Sequence, residues 1–106
     1  MPLIDFMSQL HLDTKRDYLA RVTDPDMPKP KAAKLAKQWG YEYWDGDRRV
    51  CYGGYEYIPG RWAAVARAMS AHYRLKPGDR VLDIGCGKGF QLADLREAVP
   101  GISVYG

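Results

Sequence analysis

Three glycines within five residues constrain the fold of this chain more than any other feature of its sequence. Gly85, Gly87 and Gly89 follow a short, mainly apolar stretch at 80–84 and precede a stretch with helical spacing at 90–99. The first stretch predicts a strand covered on both faces, and the second predicts a helix. Glycines between a strand and a helix let the backbone turn sharply and approach a ligand closely.

The elements around this glycine turn predict a βαβ unit. The helix at 90–99 carries Leu92, Leu95 and Val99 on its inward face, and Pro100 with Gly101 ends it. A second strand is expected from residue 102, parallel to the first. A further helix at about 61–73 precedes the unit. The class expected for residues 61–106 is therefore α/β.

The spacing of the glycines excludes two phosphate-binding motifs. A dinucleotide fingerprint that begins at Gly85 would need a small third residue where Phe90 stands. A P-loop would use the Gly-Lys pair at 87–88. However, Gly89 then occupies the position of the magnesium-binding hydroxyl, and Leu82 that of the first glycine. Both motifs fail at defining positions.

An acidic residue, Asp83, stands just before the glycines. A carboxylate repels a pyrophosphate and attracts an ammonium group, so the turn suits a cationic, amino-acid-like ligand. The pattern D-x-G-x-G-x-G at 83–89 resembles motif I of class I S-adenosylmethionine-dependent methyltransferases. Most of the chain is similar to a methyltransferase-domain family, in the leader at 15–22, at 43–49 and in Gly53-Gly54-Tyr55.

This resemblance implies roles for individual residues. Asp83 would hold the amino group of S-adenosylmethionine, directly or through water, and Gly85 and Gly87 would let the backbone pass beside its methionine portion. The wall of the loop would be formed by the backbone atoms of Cys86, Lys88 and Gly89. An acid that binds the ribose would lie just past residue 106. Neither a metal ion nor a catalytic base is assigned.

Residues 1–60 are predicted to form a helical, aromatic-rich extension and possible lid. A first helix passes through 17–22 with Asp13 or Thr14 as its cap, and a second covers about 31–39, with Gly40 as a left-handed cap. Six aromatic residues then fall within 41–60, a stretch that suits either a short hairpin or an ordered loop. The sequence is consistent with two roles for these rings: they pack within the extension, or they form a lid over cofactor and substrate.

The resemblance implies a seven-stranded sheet, of which this chain supplies about two strands. An exposed parallel pair is a poor independent structure. The expected fold is therefore an incomplete Rossmann-like methyltransferase fold, truncated after the second strand. We expect an N-terminal fragment of a longer enzyme, inactive alone, or a chain that pairs with a completing chain or with another copy of itself.

The composition of the chain indicates its cellular compartment and the class of partner to expect. The 106 residues have a net charge of +3 and two cysteines, and no apolar stretch approaches the length of a membrane helix. The N-terminus has no pattern of a secretory signal. These features favour a cytoplasmic protein with no membrane partner. The lysines at 29–37 predict a solvated helix face, and His11 and His72 carry no predicted chemistry.

Three functions are consistent with the sequence. The first is an S-adenosylmethionine-dependent methyltransferase that acts on a small-molecule or sugar-like acceptor. The second is a nucleic-acid methyltransferase, for which the lysines at 29–37 and the loop rich in tyrosine and arginine are the only support. The third is a non-enzymatic fragment or accessory module without a competent site.

Overall fold

The structure is a computed structural model and describes residues 2–8 and 17–106, apart from the side chains of Tyr18 and Arg21. It divides into two compact units. Unit 1 consists of Met1–Asp13 and Tyr57–Gly106, and unit 2 is Thr14–Glu56. In chain order the elements are α1 (Tyr18–Thr23), α2 (Lys29–Ala36), α3 (Tyr41–Trp44), α4 (Ala63–Tyr73), β1 (Arg80–Leu82), α5 (Phe90–Ala98) and β2 (Ser103–Tyr105).

Unit 1 contains a two-stranded parallel sheet. Strands β1 and β2 pair in parallel with α5 between them in the chain, as the sequence predicts. Val81 lies opposite Val104, and Leu82 lies opposite Tyr105. The chain is therefore a small mixed helix-and-strand protein in which α5 provides the crossover between two parallel strands.

The core of unit 1 covers one face of this sheet. Buried residues of α4, α5 and the turn before β2 form it with partly buried neighbours, and the cluster comprises Ala66, Leu95, Val99, Ile102, Leu75, Val81 and Val104. On the opposite face Leu82, Ile84 and Tyr105 are 65%, 91% and 54% exposed. The expectation that β1 is covered on both faces is therefore wrong for this chain, because α4 and α5 pack on one face alone.

Unit 2 has a smaller core, formed by Met27, Ala32 and Val50. Helix α1 begins after Asp17, whose carboxylate accepts a hydrogen bond of 3.0 Å from the amide of Ala20. The predicted caps Asp13 and Thr14 lie outside the described residues, as does His11. Asp24 accepts hydrogen bonds from the amides of Asp26 and Met27 and so shapes the turn before α2.

Helix α2 differs from its prediction at both ends. It begins at Lys29 because Pro30 lies in its first turn, where the missing amide of proline costs no helical hydrogen bond. It ends at Ala36, three residues early. The left-handed residue after it is Trp39, with φ of 54°, rather than the predicted Gly40, whose φ is −93°. This conformation costs a residue other than glycine about 1–2 kcal/mol.

Residues 41–60 form an ordered loop that starts with the single helical turn α3, so the hairpin alternative is wrong. Three rings of this loop, Trp44, Tyr52 and Tyr55, stack with centroids 4.7–5.6 Å apart. Partial burial is the main cause that raises the pKa of Tyr43, which contacts two of the same rings. These contacts support the packing role of the aromatic segment.

A membrane-spanning helix is not found among the described residues.

Candidate functional site

The glycine turn joins β1 to α5, and all three of its glycines have left-handed backbone. The φ values of Gly85, Gly87 and Gly89 are 88°, 61° and 76°. A Cβ atom added to Gly85 or Gly89 would meet no atom within 4 Å. These two glycines are therefore required by their backbone conformation, and the space beside them is open to a ligand.

A hydrogen bond within the turn sets the start of α5. The amide of Gly89 donates to the carbonyl oxygen of Cys86 at 3.0 Å, and Gly89 is the N-cap residue of the helix. As a glycine, the N-cap residue supplies no side-chain hydrogen bond to this end of α5. The first amides of a helix have no partner within the helix, so the turn presents hydrogen-bond donors beside its open space.

Asp83 stands at the end of β1, at the entrance to the turn. Its amide donates to the carbonyl oxygen of Tyr105 at 2.9 Å, which extends the strand pairing by one step. Its side chain is half-buried, and among the described residues its carboxylate accepts no hydrogen bond and forms no ion pair. An acid with unused acceptors therefore lies immediately before the glycines.

Cys86 packs between the turn and the end of β2. A side chain built on Gly106 would collide with Cys86 and would approach Leu92, so the thiol fills the space beside the last residue. The sulfur lies 3.6 Å from the carbonyl oxygen of Gly87. This contact makes Cys86 a packing residue of the turn. It also places the carboxyl ends of β1 and β2 at one edge with the glycine turn. Lys88 is exposed on this turn.

A buried acid that sequence reasoning missed lies on α5. Asp94 is 3% exposed, and its two oxygens accept hydrogen bonds from the Tyr57 hydroxyl at 2.5 Å and from the Trp62 amide at 2.7 Å. The bond to Asp94 is the main cause that raises the pKa of Tyr57. Helical spacing offers no signal for this contact, since both partners come from before α4.

The ring of Tyr57 contacts the first turn of α5, with its centroid 5.6 Å from that of Phe90. A surface groove of about 560 Å³ lies beside these residues, between α4 and α5. It is lined by Tyr57, Gly60, Ala63, Arg67, Asp94 and Glu97, among others.

At the other end of α4, His72 lies in the last turn and contacts the ring of Tyr73 edge-on.

Within the stretch of acidic and basic residues at 45–49, Asp47 and Arg49 form an ion pair. Arg49 contacts Asp47 at 2.6 Å and Asp24 at 3.3 Å. Hydrogen bonds from the Arg49 side chain are the main cause that lowers the pKa of Asp47 to about 2. These three residues form a structural clamp in unit 2. Among the described residues, acids, histidines and cysteines form no group suited to hold a metal ion.

No protein-family model, no curated protein and no solved structure matches this chain.

Proposed function

We propose that this chain carries the cofactor-binding turn of a class I S-adenosylmethionine-dependent methyltransferase that acts on a small-molecule or sugar-like acceptor. One observation carries the proposal. Three left-handed glycines connect a parallel strand to a helix, and Asp83, whose carboxylate has no described partner, comes just before them in the chain. An amino-acid-like cation matches that combination, whereas a polyphosphate does not.

The residues of the turn fit the methionine portion of the cofactor. The space where Gly85 and Gly89 lack side chains is free of other atoms, so a ligand can approach the backbone there. Asp83 supplies acceptors for the ammonium group, and charge-assisted hydrogen bonds of this kind are roughly twice as strong as neutral ones. Gly87, Cys86 and Lys88 complete the wall through their backbone.

The contribution of these residues to methyl transfer is positioning. When bound, S-adenosylmethionine supplies a methyl group activated by a sulfonium. Asp83 anchors one end of that molecule, and the glycine turn fixes its path along the protein. Alignment of two reactants can account for a large part of a rate enhancement, so an enzyme of this kind depends mainly on geometry.

We further propose that the sheet is the first part of a larger Rossmann-like sheet. The exposed Leu82, Ile84 and Tyr105 support this, because a parallel sheet is normally covered on both faces. Further strands and helices, from the same polypeptide or from a second chain, would bury this surface.

Calorimetric titration with S-adenosylmethionine tests the proposal on a polypeptide that contains this sequence and completes the sheet. We expect binding of S-adenosylmethionine and of S-adenosylhomocysteine, which share the amino-acid end. ATP and NAD serve as controls and should not bind, since each presents phosphates to Asp83. Binding of ATP or NAD without S-adenosylmethionine would contradict the assignment. The 106-residue chain alone should bind weakly or not at all.

The substitution Ile84→Lys tests separately whether further strands and helices cover this face of the sheet. In the isolated chain the side chain is 91% exposed, so the free energy of unfolding should change by less than about 0.5 kcal/mol. In a polypeptide that covers this face, the same substitution buries a charge and should be strongly destabilising. Equal effects in both proteins would show that the face stays open to solvent.

A further inference from the structure

The groove between α4 and α5 lies within unit 1 and is large enough to hold a small molecule. Its volume of about 560 Å³ falls in the range of ligand pockets. Gly60 lines it with a left-handed φ of 76°, and a Cβ added there would meet no atom within 4 Å. The side chains of the protein therefore leave this part of the groove open.

The groove contains a buried negative charge that has no cationic partner. Asp94 lines it and is 3% exposed, and both of its hydrogen bonds come from neutral donors, the Tyr57 hydroxyl and the Trp62 amide. Among the described residues its carboxylate forms no ion pair. A cationic group in the groove would supply the missing charge compensation.

A second acid increases the negative charge of this region. Glu97 lines the same groove three residues after Asp94, so the two acids are neighbours on one side of α5. The bond to Asp94 is the main cause that raises the pKa of Tyr57, and the charge of Glu97 contributes to the same rise. The Tyr57 hydroxyl donates to Asp94, so its oxygen can still accept a hydrogen bond from a ligand.

A basic residue lines the groove from the other helix. Arg67 is exposed and lies one helical turn, about 6 Å, beyond Ala63, the first residue of α4. In the part of the chain that the structure describes, neither Arg67 nor Glu97 forms an ion pair. Charges of both signs are therefore available to one ligand.

We infer that this groove binds a small zwitterion whose ammonium group and carboxylate stand several atoms apart. The ammonium group donates to Glu97 and to the Tyr57 oxygen, near the buried charge of Asp94. The carboxylate accepts from Arg67, whose guanidinium can form two parallel hydrogen bonds with it. A ligand with one charge alone is repelled by part of the groove. The inference goes beyond the proposed function, since no residue of the glycine turn lines the groove.

Substitutions of the exposed charges test the electrostatic part of the inference. Arg67→Gln and Glu97→Gln should each weaken binding about three- to fivefold, the scale of one ion pair open to water. Arg96→Gln is the matched control, because Arg96 is exposed on α5 but does not line the groove. It should leave the affinity unchanged.

Two alanines test whether the ligand occupies the groove itself. Ala98 is exposed on α5 and lines the groove, whereas Ala64 is exposed on α4 and does not. Leucine is a strong helix former, so Ala98→Leu and Ala64→Leu should both preserve their helices. Ala98→Leu fills part of the groove and should weaken binding, and Ala64→Leu should not.

The measurement is an NMR titration of the purified chain with γ-aminobutyrate. Butylamine and butyrate, which each carry only one of its two charges, are the comparison ligands. We expect γ-aminobutyrate to bind more tightly than either and to lose affinity as salt is added. The inference fails if γ-aminobutyrate does not bind, if either comparison ligand binds as tightly, or if Arg67→Gln and Glu97→Gln both bind as well as the original chain.

Asp83→Ala distinguishes this groove from the glycine turn. Because Asp83 does not line the groove, the substitution should leave the affinity for γ-aminobutyrate unchanged. Binding that is lost in Asp83→Ala but kept in Glu97→Gln would place the ligand at the turn and overturn the inference. Titration with S-adenosylmethionine decides the proposed function separately.

Discussion

The carboxylate of Asp94 and the hydroxyl of Tyr57 lie 2.5 Å apart, although 37 residues separate them in the chain. The other carboxylate oxygen accepts the amide of Trp62 at 2.7 Å. A buried carboxylate is costly unless donors surround it, and these two bonds explain why an acid is tolerated inside α5. The network fastens the segment before α4 to the helix that follows the glycine turn.

Asp94→Ala should lower the free energy of unfolding by about 2–3 kcal/mol, because it removes two hydrogen bonds to a charged acceptor and leaves the Trp62 amide without a partner. Urea denaturation measures this effect. Tyr57→Phe removes only one of the bonds and keeps the ring contact with Phe90, so it serves as the control and should be clearly milder. Equal losses in the two variants would mean that the bond to Trp62 contributes nothing.

Asp83→Ala should weaken the binding of S-adenosylmethionine by about 1–3 kcal/mol in the completed enzyme, the scale of one charge-assisted hydrogen bond. Gly87→Val should be worse, because it adds a β-branched side chain at a φ of 61° and fills space beside the ligand. Calorimetry gives both affinities. Lys76→Ala, an exposed residue in the turn before β1, is the matched control. Unchanged affinity in both turn variants would leave the glycine turn with a structural role alone.

Substitutions at two adjacent glycines distinguish the cost of a steric clash from the cost of backbone strain. Gly53 and Gly54 both have positive φ, at 64° and 93°. A Cβ on Gly53 would lie 2.6 Å from the Cα of Arg48, whereas a Cβ on Gly54 would meet nothing within 4 Å. We expect Gly53→Ala to be more destabilising than Gly54→Ala by about 1–3 kcal/mol, the typical cost of overpacking. Thermal or urea unfolding of the pair checks this difference, and equal values would contradict the clash.

The loss of folding stability at acidic pH should depend on Arg49. Hydrogen bonds from this side chain lower the pKa of Asp47 from 3.8 to about 2. A folded-state pKa below the unfolded value gives stability that is present above the unfolded pKa and is lost as pH falls from 3.8 toward about 2. In Arg49→Gln the pKa of Asp47 should return toward 3.8, measurable by NMR titration, and this loss of stability should shrink. A pKa that stays near 2 would show that Arg49 is not its cause.

Local chemistry determined the order of the elements in unit 1. The spacing of Leu92, Leu95 and Val99 placed the inward face of α5 correctly, and all three are buried. The glycines of the turn and the proline–glycine pairs placed the boundaries of the strands and helices to within a few residues. These features depend on neighbours along the chain, so the sequence alone was sufficient to predict the parallel β1–α5–β2 arrangement.

Contacts between distant segments decided the rest. The sequence placed a left-handed cap at Gly40, but the end of α2 at Ala36 assigns that conformation to Trp39. The partners of Asp94 come from 32 and 37 residues earlier, and Arg49 reaches back to Asp24. Such pairings depend on which surfaces meet when the helices pack, and no periodicity along the chain encodes that. The sequence therefore determined the order of the elements in unit 1 and the glycine turn, and only the tertiary structure revealed the buried acid and the exposed, strained tryptophan.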